Sequence, residues 1–161
     1  MNNLMSSGRY AFGRLTLDRT QVFFESALSY ATVNLKPLVP GHVLVLPKRS
    51  AARFNSLYAD EVADLWLSAQ KISKKLEPHF QAEGFTFAIQ DGPVAGQTVP
   101  HVHVHILPRK EGDFQPKDAI YEALQSNQGN PMSGESDDNR PARSVQEMKD
   151  EADLFRAWFV D

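Results

Sequence analysis

Cysteine is absent from all 161 residues, so a disulfide framework, a thiolate metal site and thiol redox chemistry are excluded. No apolar run approaches the ~20 residues needed to cross a bilayer, and no membrane contact is expected. The opening stretch, MNNLMSSGRYAFGR, lacks the continuous apolar core of a secretory leader. With no targeting signal, the expected location is the cytoplasm, with the nucleus as a second compartment. Positive charge is in short supply too. A net charge of −3 leaves no basic surplus for a phosphate backbone, so nucleic acid is not an expected partner. With 42% hydrophobic and 23% charged residues, wholesale disorder is excluded. Residues 1–161 are read as a single domain, long enough to bury a core.

What is present divides by period. QVFFES (21–26), LSYATVNL (28–35), HVLVLPK (42–48), FTFAIQ (85–90) and HVHVHILP (101–108) are short runs rich in β-branched and aromatic residues. Pro37, Pro40 and Gly41 punctuate a turn before the third run. Residues 59–77 change to steps of three and four. Val62, Leu65, Ala69, Ile72 and Leu76 form an amphipathic stripe, with Asp60, Glu61 and Asp64 at its start and Lys71, Lys74 and Lys75 at its end. His79 lies just past that helix and reads as a terminal or surface residue. Residues 126–143 have almost no large apolar side chain and are expected to be mobile and dispensable for chemistry. Beyond them Ser144 and Glu147 stand at capping-box spacing. A helix over about 144–159 is expected, with Val145, Met148, Ala152, Phe155 and Phe159 inward.

His101, His103 and His105 alternate with Val102, Val104 and Ile106. On a strand this places three imidazoles on one face and three β-branched residues on the other. Metal ligation is one use of such a face, but His101 and His105 would stand roughly 13 Å apart, too far to share one ion held at about 2 Å per ligand. A third ligand would have to come from elsewhere, such as His42 or Asp91. No dedicated metal site is assigned. Covalent catalysis is the other use. A neutral imidazole is a nucleophile toward phosphorus, and a carbonyl accepting from Nδ1–H would aim Nε2 outward. The loop DGPVAGQTVP (91–100) precedes this strand directly. Gly92 and Gly96 permit close backbone approach, and Gln90, Gln97 and Thr98 add side-chain donors, a composition suited to cradling an anion.

HVHVH followed by ILP resembles the histidine triad signature, and QDGPVAGQTVPHVHVHILPRKEGDF (90–114) is similar to the fragile histidine triad branch. LSYATVNLKPLVPGHVLVLPKR (28–49), ADEVADLW (59–66) and IYEAL (120–124) extend the resemblance to roughly residues 12–125. It implies an α+β fold: a five-stranded antiparallel sheet with one long packed helix and a C-terminal helix, assembled as a homodimer. It also implies bis(5'-adenosyl)-triphosphatase activity, cleaving diadenosine triphosphate to AMP and ADP through an adenylyl-histidine.

By position, the resemblance makes His103 the nucleophile and His105 the contact to phosphate and bridging oxygen, with His101 and His42 in support. Asn34 corresponds to a ribose contact. Gln90, Gly96, Gln97, Thr98 and Val99 correspond to phosphate-binding elements, and Phe12, Leu17 and Leu44 to a nucleobase pocket. Leu15 and Pro100 depart from the polar and basic residues that some relatives carry at these places. Mg²⁺ or Mn²⁺ is expected to ride on the substrate phosphates, with no organic cofactor. Hydrolysis of adenosine phosphoramidates or adenylyl sulfate, nucleotidyl transfer, and a slow-turnover nucleotide-binding signalling role in which Tyr121 and the 126–143 segment face partners are the alternatives.

Overall fold

The computed structural model describes residues 9–126 and 140–160. A hairpin, β1 (Arg9–Phe12) and β2 (Leu15–Asp18), precedes the main sheet of β3 (Val22–Glu25), β4 (Ser29–Val33), β5 (Val43–Pro47), β6 (Gly84–Ala88) and β7 (Val104–Arg109). The order is β3-β4-β5-β7-β6, antiparallel throughout. Helices are α1 (Ala59–Phe80), α2 (Ala119–Ser126) and α3 (Val145–Arg156). The α+β reading, with a five-stranded sheet, one long helix and a C-terminal helix, is what the chain adopts.

Alternation decides the layers. Ala31, Val33, Val43, Val45, Val102, Val104 and Ile106 share a core with Leu65, Ala69, Ile72 and Leu76 of α1 and with Met148, Ala152 and Phe155 of α3. The opposite parity of the same strands, Tyr30, Leu44 and Leu46, packs under the hairpin against Phe12, Leu17 and Val99. Both faces of the sheet are therefore covered. The capping box forms as expected: Glu147 N–H donates to Ser144 Oγ (3.1 Å) and Ser144 N–H to Glu147 Oε2 (2.7 Å).

Some boundaries differ from the sequence reading. α1 runs on through Pro78 to Phe80 and stops at Gln81 in the left-handed region (φ 52°). Val145, the first residue of α3, is 68% exposed and takes no part in the inward stripe of Met148, Ala152 and Phe155. Of the segment read as mobile, residues 127–139 lie outside the described residues. Ser126 ends α2, and Arg140 and Arg143 are bonded to the turn after β4.

That turn, residues 34–42, reverses the chain between β4 and β5 and relies on Gly41 (φ 82°). A Cβ at Gly41 would meet two Phe80 ring carbons at 2.7 Å and Pro108 Cγ at 3.0 Å. Gly41→Ala is expected to lower stability by about 2–4 kcal/mol, through overpacking plus a positive φ. Urea unfolding measures it, and an unchanged midpoint would show that the turn relaxes without cost.

Candidate active site

His101–His103 lie ahead of β7, past the ends of both neighbouring strands, since pairing begins at Val45↔Val104 and Ala88↔His105. Val102 N–H turns to Ala51 O instead (2.8 Å). Alternation nevertheless persists, so all three histidines lie on the hairpin side of the sheet. His42, one residue before β5, has the parity of Leu44 and Leu46 and joins them. Four imidazoles are gathered, and all are buried: His101 0%, His42 1%, His103 and His105 6% each.

Backbone groups fix three of the tautomers directly and the fourth, that of His105, through the His42 ring, because an N–H can only donate and a carbonyl can only accept. Leu38 N–H donates to His42 Nδ1 (3.1 Å), so the His42 proton sits on Nε2. That Nε2–H donates to His105 Nδ1 (3.0 Å), which leaves the His105 proton on Nε2. His105 Nε2 is buried and has no partner among the described residues. Gly13 N–H donates to His101 Nδ1 (3.0 Å), and His101 Nε2–H donates to Pro47 O (2.8 Å). Finally, His103 Nδ1–H donates to His101 O (2.8 Å), so the lone pair of His103 lies on Nε2. The cluster thus presents one basic nitrogen and, on the neighbouring ring 5.1 Å away, one unspent N–H donor.

Burial is also the leading electrostatic effect. Desolvation disfavours imidazolium and lowers His103 to about 4, only partly opposed by the His101 carbonyl. It lowers His42 to about 3, helped by the charges of Arg140 and Arg143. His105 is held well below its ordinary value, first by burial and then by His103 and His42. Neutral rings are the resting state.

Asn34 is buried and its Nδ2 lies 3.3–3.4 Å from the His42 ring nitrogens. The turn carrying it is clasped from the C-terminal side. Arg143 donates Nε–H (3.0 Å) and Nη2–H to Asn34 O and Nη1–H to Glu151 Oε2 (2.5 Å), while its own N–H bonds Leu35 O. Nothing in the local sequence pointed to Arg143 as a brace for Asn34, because the two are 109 residues apart.

The loop is partly self-satisfied. Gly92 (φ 91°) and Gly96 (φ 92°) turn it tightly, and Gly96 N–H bonds Pro93 O (3.0 Å). Gln97, read above as a side-chain donor, spans the loop: Oε1 accepts from Gly92 N–H and Nε2 donates to Ala52 O, both at 2.8 Å. Asp91, considered above as a third metal ligand, is held by the Arg53 guanidinium and by Phe54 N–H (2.9 Å). Thr98 is exposed, Val99 buried, and Gln90 half-buried two residues beyond Ala88. Phe12, Leu17 and Leu44 are at most 2% exposed and pack together. The Phe12 ring meets His103 edge-on at 5.1 Å.

The sheet and its four imidazoles define the class of triad proteins, in which three alternate histidines leave one strand and a fourth comes from its neighbour. Comparison with known proteins agrees. The HIT domain family matches residues 17–112. A bifunctional bis(5'-adenosyl)-triphosphatase/adenylylsulfatase of Arabidopsis thaliana is 54% identical over 93% of this chain and 84% of its own length. A bis(5'-adenosyl)-triphosphatase of Dictyostelium discoideum is 48% identical over 93% of both chains. Among solved structures, Plasmodium falciparum diadenosine triphosphate hydrolase superposes with TM-score 0.74 at 32% identity, over 98% of this chain and 88% of that one. The chain belongs to the histidine triad (HIT) family, in its fragile histidine triad branch.

Proposed function

We propose that this chain hydrolyses diadenosine polyphosphates, diadenosine triphosphate foremost, to AMP and a nucleotide, through an adenylyl group carried on His103. The observation that carries the reading is the tautomer set: a lone pair on His103 Nε2 beside an unspent N–H on His105. The relatives named as bis(5'-adenosyl)-triphosphatases support the substrate class.

His103 Nε2 attacks the α-phosphorus as the bond to the bridging oxygen breaks, and ADP leaves with that electron pair. His105 Nε2–H donates to the bridging oxygen and stabilises the charge gathering there. The adenylylated His103 ring gains positive character, which the His101 carbonyl at 2.8 Å from Nδ1 offsets. Water then attacks phosphorus, the P–N bond breaks back to Nε2, and AMP leaves with one proton released to solvent. Positioning and charge stabilisation supply the rate. His101 and His42 fix tautomers rather than react. Asn34 takes the ribose, the 96–99 loop the phosphates, and Mg²⁺ or Mn²⁺ enters bound to the substrate polyphosphate. A homodimer is part of the proposal, by family resemblance.

Adenylyl sulfate is a second substrate on this reading, favoured by the dual name of the Arabidopsis relative. The same attack expels sulfate. Parallel assays on one preparation with diadenosine triphosphate, diadenosine tetraphosphate, adenosine phosphoramidate and adenylyl sulfate test the assignment. Diadenosine triphosphate should show the highest kcat/KM and yield equal AMP and ADP. Turnover confined to the phosphoramidate or the sulfate would overturn it.

A further inference from the structure

Beside the imidazole cluster lies a cleft of about 390 Å³, lined by Arg14, Leu15, Thr98, Val99 and Pro100. Its volume falls in the range of small-ligand pockets. Three of the lining residues are apolar, one is a cation and one a hydroxyl, and no carboxylate is among them. Arg14 occupies the β1–β2 turn, is exposed, and has no ion-pair or hydrogen-bond partner among the described residues. Its neighbour Gly13 donates to His101 Nδ1 at 3.0 Å, so the turn is fastened to the triad. A Cβ on Gly13 would stand 2.8 Å from Val99 Cγ1, which brings turn and loop into close contact at the cleft floor. Pro100 is three chain steps before His103, so the two backbones are at most about 10 Å apart. A triphosphate bridge from the reacting α-phosphorus outward has comparable reach.

We infer that this cleft is the subsite for the leaving half of the substrate, with Arg14 as its anion contact. This deepens the proposed function and rests on it. The guanidinium takes the distal phosphate through paired N–H donors, and the Thr98 hydroxyl adds a third. Leu15, Val99 and Pro100 form an apolar floor against which the second base lies flat. A substrate with a small leaving group, such as a phosphoramidate, ends before the cleft and gains nothing from Arg14. The cation for the outer phosphates therefore comes from the hairpin, across the cleft from the uncharged Pro100.

The test compares the full chain with its Arg14→Ala and Arg14→Lys variants, on diadenosine triphosphate, diadenosine tetraphosphate and adenosine phosphoramidate. For Arg14→Ala, the ratio of kcat/KM for either dinucleotide to that for the phosphoramidate should fall roughly tenfold, mostly through KM. Arg14→Lys should recover part of the ratio, because it keeps the charge but loses the fork. The dinucleotide KM of the unaltered chain should also rise more steeply with salt than that of Arg14→Ala. A ratio unchanged by Arg14→Ala, whether all rates fall together or none does, would overturn the subsite and leave the proposed function standing. If the unaltered chain cleaves the phosphoramidate but no dinucleotide, the proposed function fails and the subsite with it.

Discussion

Asparagine in place of His103 is expected to cut turnover of diadenosine triphosphate by about 10,000-fold or more, while the affinity for substrate stays within a few-fold. Asparagine retains a polar side chain of similar reach but has no ring nitrogen with a lone pair to form the P–N bond. The split between rate and binding separates a nucleophile from a contact. His105→Asn should cost less, because it removes a donor to the leaving oxygen and not the attacking atom; roughly 100- to 1,000-fold is the scale of a lost charge-stabilising donor. His101→Asn removes the links to Gly13 and Pro47, but the His101 carbonyl, which belongs to the backbone, still holds Nδ1 of His103. Steady-state kinetics with substrate affinity measured by calorimetry decides among these. A His103→Asn protein running near the unaltered rate would contradict the assignment.

Acid should destabilise the fold well above the pH at which its ion pairs fail. His103 is lowered to about 4 and His42 to about 3 in the folded chain, by burial first, whereas an unfolded histidine titrates near 6.5. Below about pH 6.5 the unfolded chain therefore binds protons that the folded chain refuses. Stability that is complete above pH 6.5 is lost as pH falls toward 4. His103 alone accounts for about 3 kcal/mol over that window, and His105 acts in the same direction. The carboxylates belong to a lower window. Glu61 is lowered by Arg49, and Asp91 by Arg53, so their contributions disappear only as pH falls through values below the ordinary carboxylate range.

The expected urea midpoint is level from pH 8 to 7, declines below 6.5, and declines less steeply in His103→Asn. A level midpoint down to pH 5 would contradict the buried neutral cluster. Activity has a matching signature. Protonation of His103 near pH 4, and not near 6.5, sets the acid limb, so kcat/KM should be flat from pH 5 to 8 wherever the fold persists.

Local patterns carried the layers of this molecule. Val102, Val104 and Ile106 read as the helix-facing side, and they are; the stripe from Leu65 to Leu76 and the Ser144–Glu147 box also form as read. The carbonyl that fixes His103 Nδ1 was anticipated as a type of group, although its owner, His101, is a property of the backbone path. What could not be read was non-local. A period-two pattern with imidazoles on alternate positions suggests one wet face, but the β1–β2 hairpin covers that face and dries it. The relay from Leu38 N–H through His42 to His105 depends on the 34–42 turn bringing a backbone donor to a ring. Gln97 is polar and in a loop, which is equally consistent with binding an anion and with bracing Gly92 against Ala52. Arg143 spans 109 residues to reach Asn34.

The central claim is that His103 carries the adenylyl group. Mixing enzyme with diadenosine triphosphate labelled at the α-phosphorus, quenching within milliseconds without acid, and mapping the labelled peptide tests it most directly. Label on His103 of the unaltered chain, absent from His103→Asn, is the predicted result. Label on His105, His101 or His42, or rapid turnover with no labelled protein at any time point, would contradict it.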